Sequence, residues 1–131
     1  MKMIIGGAWQ GKLDWAKDNC PEVGEGQWAD GKDCPLEAIY CCGGIYDFQA
    51  YIRRLMKEEE EDRLVNLADR LIRQNPGLVI VSDEIGSGLV PVEKFDRDWR
   101  EWTGRICTEL AGYADQVIRV VMGIGIYIKG N

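Results

Sequence analysis

Gly6-Gly7-Ala8-Trp9-Gln10-Gly11-Lys12 is the segment whose residue types and spacing best suit chemistry. A short apolar run, Ile4-Ile5, enters a glycine-rich turn that leaves into a lysine, the order of a strand, a phosphate-cradling loop and a helix. Glycines let consecutive backbone N–H groups face one anion, a following helix adds the positive end of its dipole, and Lys12 adds a full charge. Gly6, Gly7, Ala8, Trp9, Gln10, Gly11, Lys12 and Leu13 are therefore candidate nucleotide-binding residues, with Lys12 as a candidate catalytic cation. The phosphate-loop pattern fails at its last position. There it requires Ser or Thr, whose hydroxyl binds the magnesium riding on the phosphates, and the chain has Leu13, which cannot. The alternative for the same residues is a tight strand-to-helix turn in which the glycines only supply unusual backbone angles.

A second group of reactive side chains follows the run Leu78-Val79-Ile80-Val81-Ser82, which has no polar alternation and reads as a central parallel strand covered on both faces. Asp83 and Glu84 come directly after it, at the end of the strand where open parallel sheets place their ligands. They are candidate magnesium ligands, and Glu84 is a candidate catalytic residue; helix-capping acids in a turn are the competing explanation. Arg97, Arg100 and Arg105 could reach a phosphate, although surface charge is the commoner role of such arginines. The acidic run Glu58 to Asp62 reads as a solvated helix turn.

Histidine is absent, which removes histidine nucleophiles, histidine metal ligands and the usual neutral-pH proton shuttle. Cys20, Cys34, Cys41, Cys42 and Cys107 form an odd set without a CxxC pair, so neither a disulfide framework nor a zinc site is indicated and reduced thiols are expected. A net charge of −6 excludes a nucleic-acid backbone binder as the main function, because that needs concentrated Lys and Arg. No window approaches the roughly eighteen consecutive apolar residues of a membrane span, and no signal-peptide pattern opens the chain, so a cytoplasmic protein is expected.

The elements that must position these groups are legible in outline. At 131 residues, 46% hydrophobic and 29% charged, the chain suits one domain, residues 1–131, with a buried core. A helix is expected from Lys12 to about Asp18 with Leu13 and Ala16 facing inward, before Asn19-Cys20-Pro21 breaks it. The Gly-, Pro- and Asp-rich stretch from 19 to 36, with Trp28, shows no period and reads as a loop or flap. Glu37 to Cys42 reads as a second strand closed by Gly43-Gly44. Asp47 can cap a helix with Phe48, Ile52, Leu55 and Met56 inside, and after a charged segment Leu64, Leu67, Ala68, Leu71 and Ile72 resume the helical spacing until Asn75-Pro76-Gly77. Phe95, Trp99, Trp102, Ile106 and Leu110 define an amphipathic helix over about Glu93 to Tyr113, its aromatics assigned to the core. Gln116 to Met122 is a further buried strand, and Ile124 to Lys129 alternates like a last strand on an antiparallel edge. The order is β-α-β-α-β-α-β-β, an α/β fold with a mostly parallel sheet flanked by helices.

With these segments placed, the chain resembles the bifunctional cobinamide kinase and cobinamide-phosphate guanylyltransferase family of cobalamin biosynthesis. The likeness rests on Gly6 to Lys12 and on a longer C-terminal match. That match runs from Val79-Ile80-Val81-Ser82-Asp83-Glu84-Ile85-Gly86-Ser87-Gly88-Leu89-Val90-Pro91 through Arg97 to Arg105 and Leu110 to Val117, and ends in Val120 to Lys129. The resemblance implies a P-loop NTPase-like fold, a purine nucleotide (ATP or GTP) as ligand, magnesium as cofactor, a cobinamide-type corrinoid as acceptor, and a homo-oligomer with Trp99, Trp102 or an open sheet edge at its interface. The chain also departs from the family. The family's extra strand and helix, with the histidine that becomes guanylylated, are replaced by the short Asn19 to Leu36 segment, which excludes guanylyl transfer through a histidine. Lys12-Leu13 replaces Lys-Ser, and the acid that the family places after its middle strand falls about where Cys41 or Cys42 stands. Two functions stay open: a shortened nucleotide-binding member with kinase chemistry, or a non-catalytic interaction or regulatory module on the same fold.

Overall fold

A computed structural model describes residues 1–86 and 89–131; Ser87 and Gly88 of the acidic turn lie outside the described residues. Six strands form one sheet, β1 (Lys2–Gly6), β2 (Trp28–Asp30), β3 (Gly44–Tyr46), β4 (Val79–Asp83), β5 (Gln116–Val121) and β6 (Ile124–Lys129), in the order β2-β3-β4-β1-β5-β6. All neighbours run parallel except β5 and β6, which form an antiparallel hairpin. The α/β class, the parallel sheet and the antiparallel edge thus agree with the sequence expectation.

Side chains alternate across the sheet with the strand period of two. Met3, Ile45, Ile80 and Val117 enter one core with α2 (Phe48–Lys57), α3 (Glu61–Gln74) and α4 (Lys94–Tyr113). Ile4, Val79, Val81, Ile118 and Val120 enter the other, under α1 (Lys12–Asn19). Both faces of the central strands are therefore covered, which is why β4 reads as a continuous apolar run. Phe48, Ile52, Leu55, Leu64, Leu67, Ala68, Leu71, Ile106 and Leu110 are buried, whereas Met56, Ile72, Phe95, Trp99 and Trp102 are half-buried at the core's margin.

Four expectations need correction. Glu37 to Cys42 is not a strand: Leu36–Tyr40 is a 3-10 turn and the strand begins at Gly44. Its carbonyls are satisfied without a ladder, since Asn75 Nδ2 donates to Ile39 O and Cys42 O, each at 2.9 Å, and Tyr51 OH donates to Leu36 O at 2.7 Å. Gly44 opens a strand rather than closing one, because the Trp28 ring occupies the place of its missing side chain, 2.5 Å from where a Cβ would lie. The 19–36 stretch is not wholly loop, for Trp28–Asp30 pairs with Gly44–Tyr46 as edge strand β2. Three residues are too few to show a period, and the partner strand supplies the order. In α1 the buried residues are Lys12 and Ala16, with Leu13 half-buried. Finally, the helical region after Asp47 is two helices, interrupted at Glu59 in a left-handed conformation (φ 55).

All five cysteines are free thiols, and among the described residues no helix is long and apolar enough to cross a membrane. Leu67 is fully buried between α3 and the sheet, whereas Val65, two residues earlier, is 59% exposed. Urea denaturation of Leu67→Ala should show a loss of about 2–5 kcal/mol, against less than about 0.5 kcal/mol for Val65→Ala.

Candidate functional site

The glycine loop closes over a lysine. β1 ends at Gly6, and α1 starts at Lys12 from Gly11, which takes the left-handed conformation (φ 83) that glycine adopts without strain. Lys12 is only 8% exposed, and its ammonium turns back beneath the loop to donate to Gly7 O at 2.7 Å and to meet Asp83 Oδ1 at 2.6 Å. The loop's other end is fastened to the β5–β6 turn. Gly123 N–H donates to Gln10 O at 2.8 Å, and Met122 N–H donates to Gln10 Oε1 at 2.7 Å. At Gly6 any Cβ would lie 2.5 Å from Val120 O, so strand and loop approach closely enough to exclude a side chain. Trp9 stands out from the loop, 99% exposed and left-handed (φ 62). Among the described residues, the N–H groups of Gly7, Ala8, Trp9 and Gln10 make no backbone hydrogen bond of good geometry, which leaves them available to an anion.

Two carboxylates share the cleft with this loop. Asp83 ends β4, and Asp47 follows β3 at the start of α2, where it is left-handed (φ 51) and makes no side-chain cap. Asp47 stands at the N-cap position as expected, but its side chain does not cap: its Oδ1 accepts from Gln49 Nε2 at 3.3 Å, and its Oδ2 faces Lys32 Nζ at 3.5 Å. Gln49, a buried polar residue, joins the two acids, because its Oε1 accepts the Asp83 N–H at 3.0 Å. The β3–β4 ladder ends at Ile45↔Ile80, so beyond that point the side chain of Gln49 satisfies a β4 amide that no strand reaches. A cleft of about 500 Å³ results, lined by the loop from Ala8 to Asp14 and by Lys32, Tyr46, Asp47, Gln49, Ala50, Val81 and Asp83.

Sequence reading missed Asp47, Gln49 and Lys32 as members of this cleft. The signal for Asp47 was present, since Ile45-Tyr46-Asp47 repeats the apolar-strand-then-acid order of Val81-Ser82-Asp83. Placing the strand at Glu37 to Cys42 hid it, since Asp47 follows the strand that forms, Gly44–Tyr46.

Asp83 and Glu84, the candidate magnesium ligands, both border a cavity against α4, yet their carboxylates have different partners: Asp83 meets Lys12. Adjacent residues at a strand end face opposite sides. Glu84 forms an ion pair with Arg119 at 3.1 Å, and that cavity, of about 440 Å³, is also lined by Ser82, Arg100, Thr103 and Cys107. Burial pushes the Cys107 thiol up to about 11, so it is a neutral thiol near pH 7 and not a nucleophile. The candidate arginines are engaged on this side as well. Arg97 donates to Pro91 O and Val92 O, Arg100 donates to Leu89 O and Gly86 O, and Arg105 lies over the Trp102 ring at 5.1 Å. They line an open cavity of about 680 Å³ beside α4, larger than the loop cleft yet away from Lys12.

Among the described residues no group of three or more Cys, Asp or Glu side chains forms a metal cage. Magnesium does not require one, because it is bound through one or two carboxylates together with phosphates and water. Asp47 and Asp83 supply suitable oxygen donors in one cleft, while Leu13, which also lines it, supplies none.

Comparison with known proteins joins this geometry to a lineage. The model of the family described as cobinamide kinase / cobinamide phosphate guanyltransferase matches residues 42–128, a range that contains β3 to β6 with Asp47, Asp83 and Glu84 and leaves the glycine loop outside. The bifunctional adenosylcobalamin biosynthesis protein CobU of Salmonella typhimurium strain LT2 is 33% identical over 91 residues, which is 70% of this chain and 50% of that protein. Its counterpart of the same name in Escherichia coli K12 is 32% identical over 91 residues, with the same coverage. The chain spans about half the length of the curated relatives it matches. With two thirds of its residues under the family model, and with the mostly parallel α/β sheet just described, the chain belongs to the cobinamide kinase / cobinamide phosphate guanyltransferase family.

Proposed function

We propose that this chain is a cobalamin-biosynthesis-type nucleotide-binding protein that takes ATP or GTP by its phosphates in the cleft over Gly6 to Lys12. One observation carries the reading: Lys12 Nζ is held 2.7 Å from Gly7 O and 2.6 Å from Asp83 Oδ1, beneath a loop whose amides are available to an anion. A phosphate seated at the start of α1 meets the loop N–H groups, the positive end of the helix dipole and the Lys12 ammonium together. Asp83 orients that ammonium, and Gln49 keeps Asp83 in register with Asp47.

The family's description adds the reaction class. Phosphoryl transfer from the nucleotide to a cobinamide-type corrinoid is the chemistry that suits the cleft, with Lys12 stabilising charge on the transferring group. Asp47 and Asp83 would hold magnesium, which would supply positive charge to neutralise the phosphates. Glu84, across β4 and paired with Arg119, supports the acidic turn rather than the phosphates in this reading. Guanylyl transfer through a histidine is not part of the proposal, since none of the 131 residues is a histidine. The chain works as one cytoplasmic domain and self-associates. Ile124, Ile126 and Ile128, all more than half exposed on the open edge strand β6, suit an interface better than the half-buried Trp99 and Trp102.

A second reading, a non-catalytic module that keeps the fold, is favoured by Leu13, which stands where the magnesium hydroxyl is required. Calorimetric titration with ATP and GTP, with and without magnesium, decides whether the cleft binds nucleotide. Wild-type protein should bind at least one of them, and Lys12→Ala should weaken binding about 10- to 100-fold, the loss of a charged hydrogen-bond donor. No binding to either nucleotide would refute the proposal. Restoring the hydroxyl with Leu13→Ser should raise affinity in magnesium and leave it unchanged without the ion; equal affinities in magnesium would mean that the loop is not a degraded metal site.

A further inference from the structure

The described lining of the loop cleft contains two cations, Lys12 and Lys32, against three carboxylates, Asp14, Asp47 and Asp83. Lys12 is already in close contact with Asp83, so among the described lining residues Lys32 is the other cation that can meet a polyphosphate on the Asp47 side, beside any bound magnesium. Lys32 is suited to that task. Its side chain is 63% exposed, and its 3.5 Å approach to Asp47 Oδ2 is a loose surface pair, of little intrinsic strength and readily exchanged for another anion.

The backbone that carries Lys32 is built to present it. Gly31 N–H donates to Tyr46 O at 2.8 Å, and a Cβ on Gly31 would lie 2.2 Å from Asp47 O, so the turn is wedged against the junction of β3 and α2. From the other side Arg54 donates to Gly31 O at 3.0 Å and to Cys34 O at 2.8 Å, clamping both ends of the turn. Lys32 N–H itself donates to Asp30 Oδ1 at 2.9 Å. The lysine is thus carried on a fixed backbone beside the cleft, so a ligand need order only its side chain.

On the reading of this cleft as a nucleotide site, we propose that Lys32 is a specificity-determining residue that contacts the terminal phosphate of a nucleoside triphosphate. Loop amides, the α1 terminus and Lys12 serve the phosphates seated on the loop. Lys32 comes from the wall formed by the β2 turn beside Asp47, so it meets only a phosphate chain that extends past the loop. On this proposal a triphosphate reaches Lys32 and a diphosphate does not. The role is one of discrimination between the two.

Calorimetric titration with ATP and with ADP, in magnesium, on wild-type protein, Lys32→Met and Lys32→Arg tests this, with thermal melting as the check that the exposed substitutions leave the fold intact. Lys32→Met should weaken ATP about tenfold, the loss of one charge-assisted hydrogen bond, and change ADP by less than about twofold. Lys32→Arg should recover most of the ATP affinity. Equal losses for ATP and ADP, or no loss for either, would overturn the role of Lys32 and leave the cleft as a nucleotide site. Failure of wild-type protein to bind either nucleotide would overturn the nucleotide reading itself, and this inference with it.

Discussion

The 2.6 Å contact between the Lys12 ammonium and the Asp83 carboxylate is the constraint on which the rest of the site depends. An ammonium at 8% exposure is costly to bury unless it is paired and hydrogen-bonded, and here one carboxylate and one backbone carbonyl meet that need. The loop's shape follows. Gly7 O can reach the ammonium only if the chain curls back over the start of α1, and Gly11 in its left-handed conformation makes that curl possible. Asp83 can reach it only because β4 lies beside β1 in the sheet, in register through Gly6↔Asp83. A sheet contact and a loop conformation are thus locked together by one charge pair.

Around this pair the site is organised by an interruption in the sheet. β3 and β4 stay paired through Ile45↔Ile80 and then part, and the space between them is the cleft. The amide of Gln49 fills the gap, accepting from the Asp83 backbone and donating to the Asp47 carboxylate. Trp99 Nε1 in turn donates to Gln49 O at 2.8 Å, which ties the cleft floor to α4. The long helix therefore contributes to the site through a main-chain contact, while its arginines serve the opposite side of β4.

Most of the framework was legible in the sequence because it rests on long apolar patterns. The continuous run in β4 and the spacing along α4 reflect burial that side-chain type alone records, while the alternation in β6 marks a strand whose isoleucines stay exposed. The failures came where structure is set by partners far along the chain. Glu37 to Cys42 has the composition of a strand, yet Asn75 and Tyr51 take up its carbonyls and leave it a turn. β2 and β3 are three residues each, too short for periodicity, and are held by each other and by the Trp28–Gly44 contact. Asp47 follows β3, so half of the cleft was hidden by one misplaced element. Glu84 shows the reverse case: adjacency to Asp83 in sequence suggested a shared ligand, whereas the two carboxylates take different partners, Lys12 for Asp83 and Arg119 for Glu84.

Family membership rests on residues 42–128, and the glycine loop that would bind phosphate lies outside that range, so the loop's role stands on its own geometry. A crystal structure of the protein with a non-hydrolysable ATP analogue and magnesium tests the central claim most directly. The account predicts phosphate oxygens on the amides of Gly7 to Lys12, with Lys12 Nζ within hydrogen-bonding distance of them and its contact with Asp83 loosened. An analogue bound with its phosphates outside the loop, and Lys12 still closed on Asp83 and Gly7, would contradict it.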